Sequence, residues 1–177
     1  MILDALLQFD SAFNGAQVVG TYNSTNVIDL HMAGLPTLAN LQGARDIGIG
    51  DDPAMKMLVL VTTTFTSGGA GTMQIALQGA TDNGSGAPAT YSTWWLSPAY
   101  ALATLVAGAR LYDMDMPRPP AGIAVPRFLR LNYIVGGATF TAGTIESLIV
   151  LDRHDQMYQS TLNSTLGGYP AGINVAN

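Results

Sequence analysis

Polar and apolar residues alternate along much of this chain, with the two-residue period of a β-strand that buries one face. In the stretch TMQIALQ, the apolar face consists of Met73, Ile75 and Leu77. Residues 56–66 are apolar or β-branched at almost every position, which is typical of a central strand. The glycine-rich turn SGGAG separates these two strands, so we expect them to form a hairpin.

A second pair of strands is predicted in the last third of the chain. Its first strand has an apolar face made of Leu129, Leu131, Tyr133 and Val135. After the turn GGAT, Ile145, Ile149 and Leu151 alternate with Glu146, Leu148 and Val150. The short turn predicts a second hairpin. Shorter strands are predicted at residues 18–22, 26–30, 91–96 and 105–112.

About eight short strands separated by Gly- and Pro-rich turns predict an all-β protein. Within that class, we expect a jelly-roll-like antiparallel β-sandwich. The length favours one domain over residues 1–177. Residues 1–17 are expected to form an N-terminal arm, in which LDALLQF has leucines at helical spacing, and residues 153–177 a C-terminal tail.

The composition limits the classes of partner. Charged residues make up only 11% of the chain, against about 25% in typical domains. Such a surface suits a protein that is covered by copies of itself or by a partner. The net charge is −5 and the seven basic residues are scattered, so we expect no nucleic-acid binding. No apolar run reaches the ~20 residues of a membrane span, so no membrane partner is expected.

Candidate catalytic residues are sparse. The sequence has no Cys, which excludes thiolate metal sites and cysteine nucleophiles. His31 and His154 could act as a general base or as metal ligands, and His154 has Asp152 and Asp155 beside it. A small hydrolase would combine His154 with Asp152 or Glu146. The alternative, which we favour in the absence of a nucleophile elbow or a zinc-binding helix, is a charged loop and no enzymatic activity.

Asp113 and Asp115 are two residues apart, so on a strand they would share a face and could bind a hard cation such as calcium. No calcium-loop motif accompanies them. Solvated carboxylates at the end of a strand are the alternative that we favour, and we expect neither a metal nor another cofactor.

Arg127 and Arg130 stand beside an apolar strand in a chain with a single lysine. Arginine makes planar, bidentate contacts and is enriched in interfaces. We expect these residues to join strands or subunits, although arginines that extend to solvent along the strand are an alternative. The candidate partners are Asp29, Asp46, Glu146 and Asp152.

Trp94 and Trp95, with Tyr91 and Tyr100 nearby, form an aromatic cluster. Successive residues on a strand face opposite ways, so one tryptophan is expected in the core and the other outside or in an interface. A core role, a contact surface and a sugar-binding platform all remain open for this cluster.

Several motifs occur in a characteristic order along most of the chain. They are the opening MILDALLQFDSA, then STNVIDL, ARDIGIG, PRFLRLNYIVGG, FTAGTIESLIVLD and the tail GYPAGINVA. This set resembles the capsid cement, or head decoration, protein family of tailed bacteriophages of the Bordetella-phage type. Residues 31–43 and 155–167 look longer than that pattern.

The resemblance implies a jelly roll without catalytic activity that sits on the outer surface of the virion head. It further implies self-association as a dimer or trimer, and bridging of neighbouring major capsid proteins in the expanded shell. The expected interface residues are Ile2, Leu3, Phe9, Trp95, Arg127, Arg130, Tyr169, Pro170 and Ile173. A carbohydrate- or receptor-binding β-sandwich of a phage tail or fibre is the alternative.

Overall fold

A computed structural model describes residues 7–30, 55–117, 120–124 and 126–150, and these ranges contain ten β-strands. The strands are β1 (Gln8–Asn14), β2 (Gly20–Asn23), β3 (Ile28–Asp29), β4 (Lys56–Ser67), β5 (Thr72–Ala80), β6 (Ser92–Leu96), β7 (Tyr100–Ala101), β8 (Arg110–Asp115), β9 (Phe128–Gly136) and β10 (Phe140–Val150). Leu102–Thr104 forms a short 3₁₀ turn. No helix in these ranges is long and apolar enough to cross a membrane.

Two antiparallel sheets pack face to face. The four-stranded sheet has the order β1-β10-β4-β8, and the six-stranded sheet has β9 and β5 at its centre. Strands β2 and β3 pair with β9, while β6 and β7 pair with β5. Counting each of these pairs as one interrupted strand gives eight strands in jelly-roll order, which confirms the predicted fold class.

Both predicted hairpins are wrong, for the same topological reason. Strand β4 pairs with β10 and β8, whereas β5 pairs with β9, so the turn between β4 and β5 crosses from one sheet to the other. The turn between β9 and β10 crosses in the same way. Each crossing lets the apolar faces of two successive strands meet across the sandwich, about 10 Å apart. A short glycine-rich turn can close a hairpin or cross to the other sheet, so the sequence pattern did not distinguish these two topologies.

The core lies between the sheets and is built from the apolar faces that the alternation predicted. The inward side chains of β5 and β9 are almost completely buried: Met73, Ile75, Leu77, Leu129, Leu131, Tyr133 and Val135. From the other sheet, Met57, Val59, Val61, Ile145 and Ile149 pack against them. Phe13 stacks on the ring of Tyr133 with 4.1 Å between ring centroids, which links β1 to β9 across the core.

The first described strand corrects the prediction of an N-terminal arm. Residues 8–14 form β1, which pairs with β10, and Phe9 is fully buried. This part of the chain is therefore a strand of the sandwich, and Phe9 is a core residue and not part of a surface arm. Ile2 and Leu3 lie outside the described residues. So does the predicted tail, with Tyr169, Pro170 and Ile173.

Candidate functional site

Arg127 connects three segments at the end of the sandwich where β9 begins. Its Nε and Nη2 atoms donate to the two carboxylate oxygens of Asp29 in β3, each at 2.9 Å. Its Nη1 atom donates to Asp82, which follows β5. The backbone N–H of Arg127 donates to the carbonyl of Ala80 at 2.9 Å. The arginine therefore joins strands within one chain, through the bidentate geometry that distinguishes arginine from lysine.

The surroundings of Asp82 and Arg127 stabilise the charged form of each side chain. Hydrogen bonds from the backbone N–H groups of Gly84 and Gly86 hold the pKa of Asp82 below its usual value, and Arg127 lowers this pKa further. In turn, the hydrogen bond to Asp29 raises the pKa of Arg127. The pKa shifts of Asp82 and Arg127 both favour the charged forms, so the contact between them is an ionic link.

Arg130 lies on the outer face of the six-stranded sheet. Its Nε atom donates to Gln78 Oε1 at 2.8 Å, and its guanidinium carbon lies 3.7 Å from the centroid of the Tyr91 ring. Burial raises the pKa of Tyr91, and the neighbouring arginine partly offsets this effect. The prediction of Glu146 as a partner of these arginines is wrong, since Glu146 is on β10 in the other sheet and accepts a hydrogen bond from Gln8.

Around Arg130 the outer face of the six-stranded sheet is polar but uncharged. Three amide side chains are held there: Asn132 Nδ2 donates to Asn23 at 2.9 Å, Gln74 to the carbonyl of Ser97, and Gln78 to Thr93. Leu96 stands at the edge of this face and is 49% exposed. We call this surface the amide face. Among the described residues, its polar groups are amides, hydroxyls and the guanidinium of Arg130.

The two tryptophans both pack on the core side of the sheet. The register between β5 and β6 shifts between Leu77 and Gln78, so β6 carries a bulge at this point. Trp94 is only 8% exposed, and Trp95 contacts Tyr112 edge to face at 4.4 Å. The expectation that one tryptophan would face outward was therefore wrong, because the bulge breaks the alternation. Sequence alternation alone gives no sign of such a bulge.

A buried polar cluster inside the sandwich was missed by sequence reasoning. The carboxylate of Asp10 accepts hydrogen bonds from the hydroxyls of Tyr133 at 2.8 Å and Ser147 at 3.2 Å, and from the backbone N–H of Thr25 at 2.7 Å. Burial, and then the charge of Asp10, raise the pKa of Tyr133 well above its ordinary value. Asp10, Tyr133 and Ser147 are fully buried, so no substrate reaches them from solvent. They act as a crosslink between β1, β9 and β10.

The outer face of the four-stranded sheet has an apolar centre and a charged rim. Leu58, Leu148 and Val150 form a buried cluster there, with Leu60 packed beside it. At the rim, Arg110 pairs with Asp113 at 3.3 Å and Lys56 with Asp115 at 4.0 Å. Asp113 and Asp115 thus contact different cations.

Within the described residues, no three His, Asp or Glu side chains lie close enough to hold a metal ion. The remaining candidates, His31, His154, Asp46, Asp152 and Asp155, lie outside the described residues.

Comparison with known proteins places this arrangement in a family. A search of curated proteins finds no match. A family model described as Bbp16, a name that indicates a Bordetella phage protein, matches residues 13–149. The match begins in β1 and ends in β10, so it spans both sheets and the links made by Arg127 and Arg130. The chain therefore belongs to the Bbp16 family of phage-associated proteins.

Proposed function

We propose that this protein is a capsid cement protein, which binds the outside of a tailed-phage head and bridges neighbouring copies of the major capsid protein. The observation that carries the proposal is the Bbp16 match, which runs through the whole jelly roll. The resemblance of the ordered sequence motifs to head decoration proteins supplies the specific role. On this proposal, the protein is a non-enzymatic part of the virion, assembled in the host cytoplasm.

The surface chemistry of the described residues supports such a role. On the amide face Asn23 and Thr93 are exposed, and Gln74, Gln78 and Arg130 are half-buried, so it can hydrogen-bond to another protein with little desolvation of charge. Many identical contacts of this kind on a lattice add through multivalency, even when each contact is weak. We propose the amide face, with Arg130, as the part of the sandwich that contacts the shell.

The structure does not support the observation on which the alternative of a carbohydrate- or receptor-binding module was based. It depended on an exposed aromatic platform, but Trp94 is buried and Trp95 packs against the core. The hydrolase alternative combines His154 with Asp152 or Glu146, and of these only Glu146 is among the described residues, where it accepts a hydrogen bond from Gln8. The cement role is therefore the proposal that we develop.

The stoichiometry of the protein in purified virions tests the proposal. Quantitative mass spectrometry against the major capsid protein should give a ratio close to one. Heads that lack the protein should release DNA at a lower temperature than complete heads, and adding the purified protein should restore the difference. A few copies per particle would place the protein in the tail, and its absence from virions would refute the proposal.

A Thr93→Glu variant tests the amide face separately. Thr93 is exposed on that face, so a carboxylate there should weaken binding to heads without unfolding the protein. Thr63→Glu, an exposed residue of β4 in the other sheet, is the matched control. Equal binding by the two variants would exclude the amide face as the shell contact while leaving the virion stoichiometry to decide the cement role.

A further inference from the structure

The two ends of the sandwich differ in charge. One end is formed by four connections, residues 15–19, 68–71, 102–109 and 137–139, and we call it the uncharged end. Their sequences, GAQVV, GGAG, LATLVAGA and GAT, contain no Asp, Glu, Lys, Arg or His. At the other end, where β9 begins and β5 stops, Arg127 meets Asp29 and Asp82.

Main-chain N–H groups donate the hydrogen bonds that hold the uncharged end together. The N–H of Leu102 donates to the carbonyl of Gly71 at 3.1 Å, and the N–H of Phe140 donates to the carbonyl of Gln17 at 3.0 Å. The N–H of Ala107 donates to Thr64 Oγ1 at 3.0 Å. These bonds anchor three of the connections to neighbouring segments. The main chain at the uncharged end is therefore held in a defined conformation.

Large apolar side chains project from this surface. Val18 is 62% exposed, Val19 is 55% exposed and Val106 is 46% exposed. The residues between them are mainly glycine and alanine, which let another backbone approach closely. Exposed apolar side chains on such a surface are typical of a protein contact site.

We propose that the uncharged end is where copies of this protein contact each other. This inference rests on the proposed cement function and assigns the self-contact within it. Each copy carries a net charge of −5, so two copies repel wherever their charged surfaces meet. At the uncharged end, two copies bury valines without desolvating any charged side chain. A strongly charged partner, by contrast, finds no complementary group there.

The oligomeric state of the full chain tests this assignment. Analytical ultracentrifugation across a concentration series would compare the wild type with Val18→Glu and Val106→Glu. Each substitution puts a carboxylate on the uncharged end of every copy, so the dissociation constant should rise at least about tenfold. Because both valines are exposed, the circular dichroism spectrum should stay unchanged, and so should the thermal midpoint at concentrations where the wild type is monomeric.

The matched controls place the same glutamate on other surfaces. Met114 on β8 is 61% exposed and Leu96 on β6 is 49% exposed, so Met114→Glu and Leu96→Glu should leave the dissociation constant unchanged. A wild type that stays monomeric at every soluble concentration would overturn the inference. So would an equal loss of association in Met114→Glu or Leu96→Glu.

Binding to purified heads separates this inference from the proposed function. If the wild type binds heads but is monomeric, the self-contact is refuted and the cement role stands. If the valine variants dissociate as expected but the wild type fails to bind heads, the self-contact stands and the cement role is refuted.

Discussion

Asp10 is a fully buried acidic residue inside the sandwich. Its carboxylate is the shared acceptor for Tyr133, Ser147 and the backbone of Thr25. Nothing in the stretch FDSAF separates this aspartate from a solvent-facing one, so its partners could not be predicted. The pairing of Arg127 with Asp29 was among the predicted alternatives, since arginine forms bidentate contacts with carboxylates.

Asp10→Ala should lower the free energy of unfolding by about 2–4 kcal/mol, because several buried donors lose their acceptor at about 1–3 kcal/mol each. Urea denaturation measures this quantity. Asp115→Ala is the control, since that side chain is 69% exposed and its contact with Lys56 should be worth less than about 1 kcal/mol. Equal effects of the two substitutions would mean that the buried cluster contributes nothing specific to stability.

At the scale of elements, the alternation of side chains predicted which face of β5 and β9 is buried, but not which strands pair. Burial of a face is encoded locally, in every second residue. Pairing depends on whether a turn closes a hairpin or crosses to the other sheet, and SGGAG is compatible with both. The bulge in β6 is a similar case, since one extra residue turned Trp95 toward Tyr112.

Strand β10 bends where Gly143 has a φ of +130° and lies against the ring of Phe65. Gly143→Ala should therefore cost about 2–5 kcal/mol, through backbone strain and through a clash with that ring. Gly84→Ala is the matched control, because Gly84 also has a positive φ, +91°, but has open space around its Cα. It should cost only about 1–2 kcal/mol.

Thermal or urea denaturation measures how much stability each of the two glycine variants loses relative to the wild type. If Gly84→Ala destabilises the protein as much as Gly143→Ala, the contact with Phe65 does not constrain the bend.

At the scale of the whole molecule, charge and burial are distributed unevenly. The sandwich encloses the Asp10 cluster and carries Arg127 at one end, while the four connections at the opposite end contain no charged residue. Composition alone gave the low charge content and the expectation of a covered surface, but only the topology brings four separate uncharged segments to one end. The family match shows a phage-associated protein, and the contact between copies at the uncharged end remains our proposal.

The tyrosines make the stability of the whole fold sensitive to alkali. Burial raises the pKa values of Tyr100 and Tyr112 as well as those of Tyr91 and Tyr133. Tyr133 is the most strongly affected, because it is fully buried and faces the carboxylate of Asp10. In the unfolded chain its pKa returns to about 10.0. Below that pH both states hold the phenol proton, and the shift has no effect on stability.

Above pH 10 the unfolded chain releases the Tyr133 proton while the folded protein keeps it, so the free energy of unfolding falls as pH rises. The slope from this residue is at most about 1.4 kcal/mol per pH unit. Urea denaturation between pH 8 and about pH 11 should show this decline. Tyr133→Phe should be less stable than the wild type at pH 8, since Asp10 loses a donor, but should lose stability less steeply above pH 10. Parallel curves for the two proteins would show that Tyr133 is ionised as readily in the fold as in the unfolded chain.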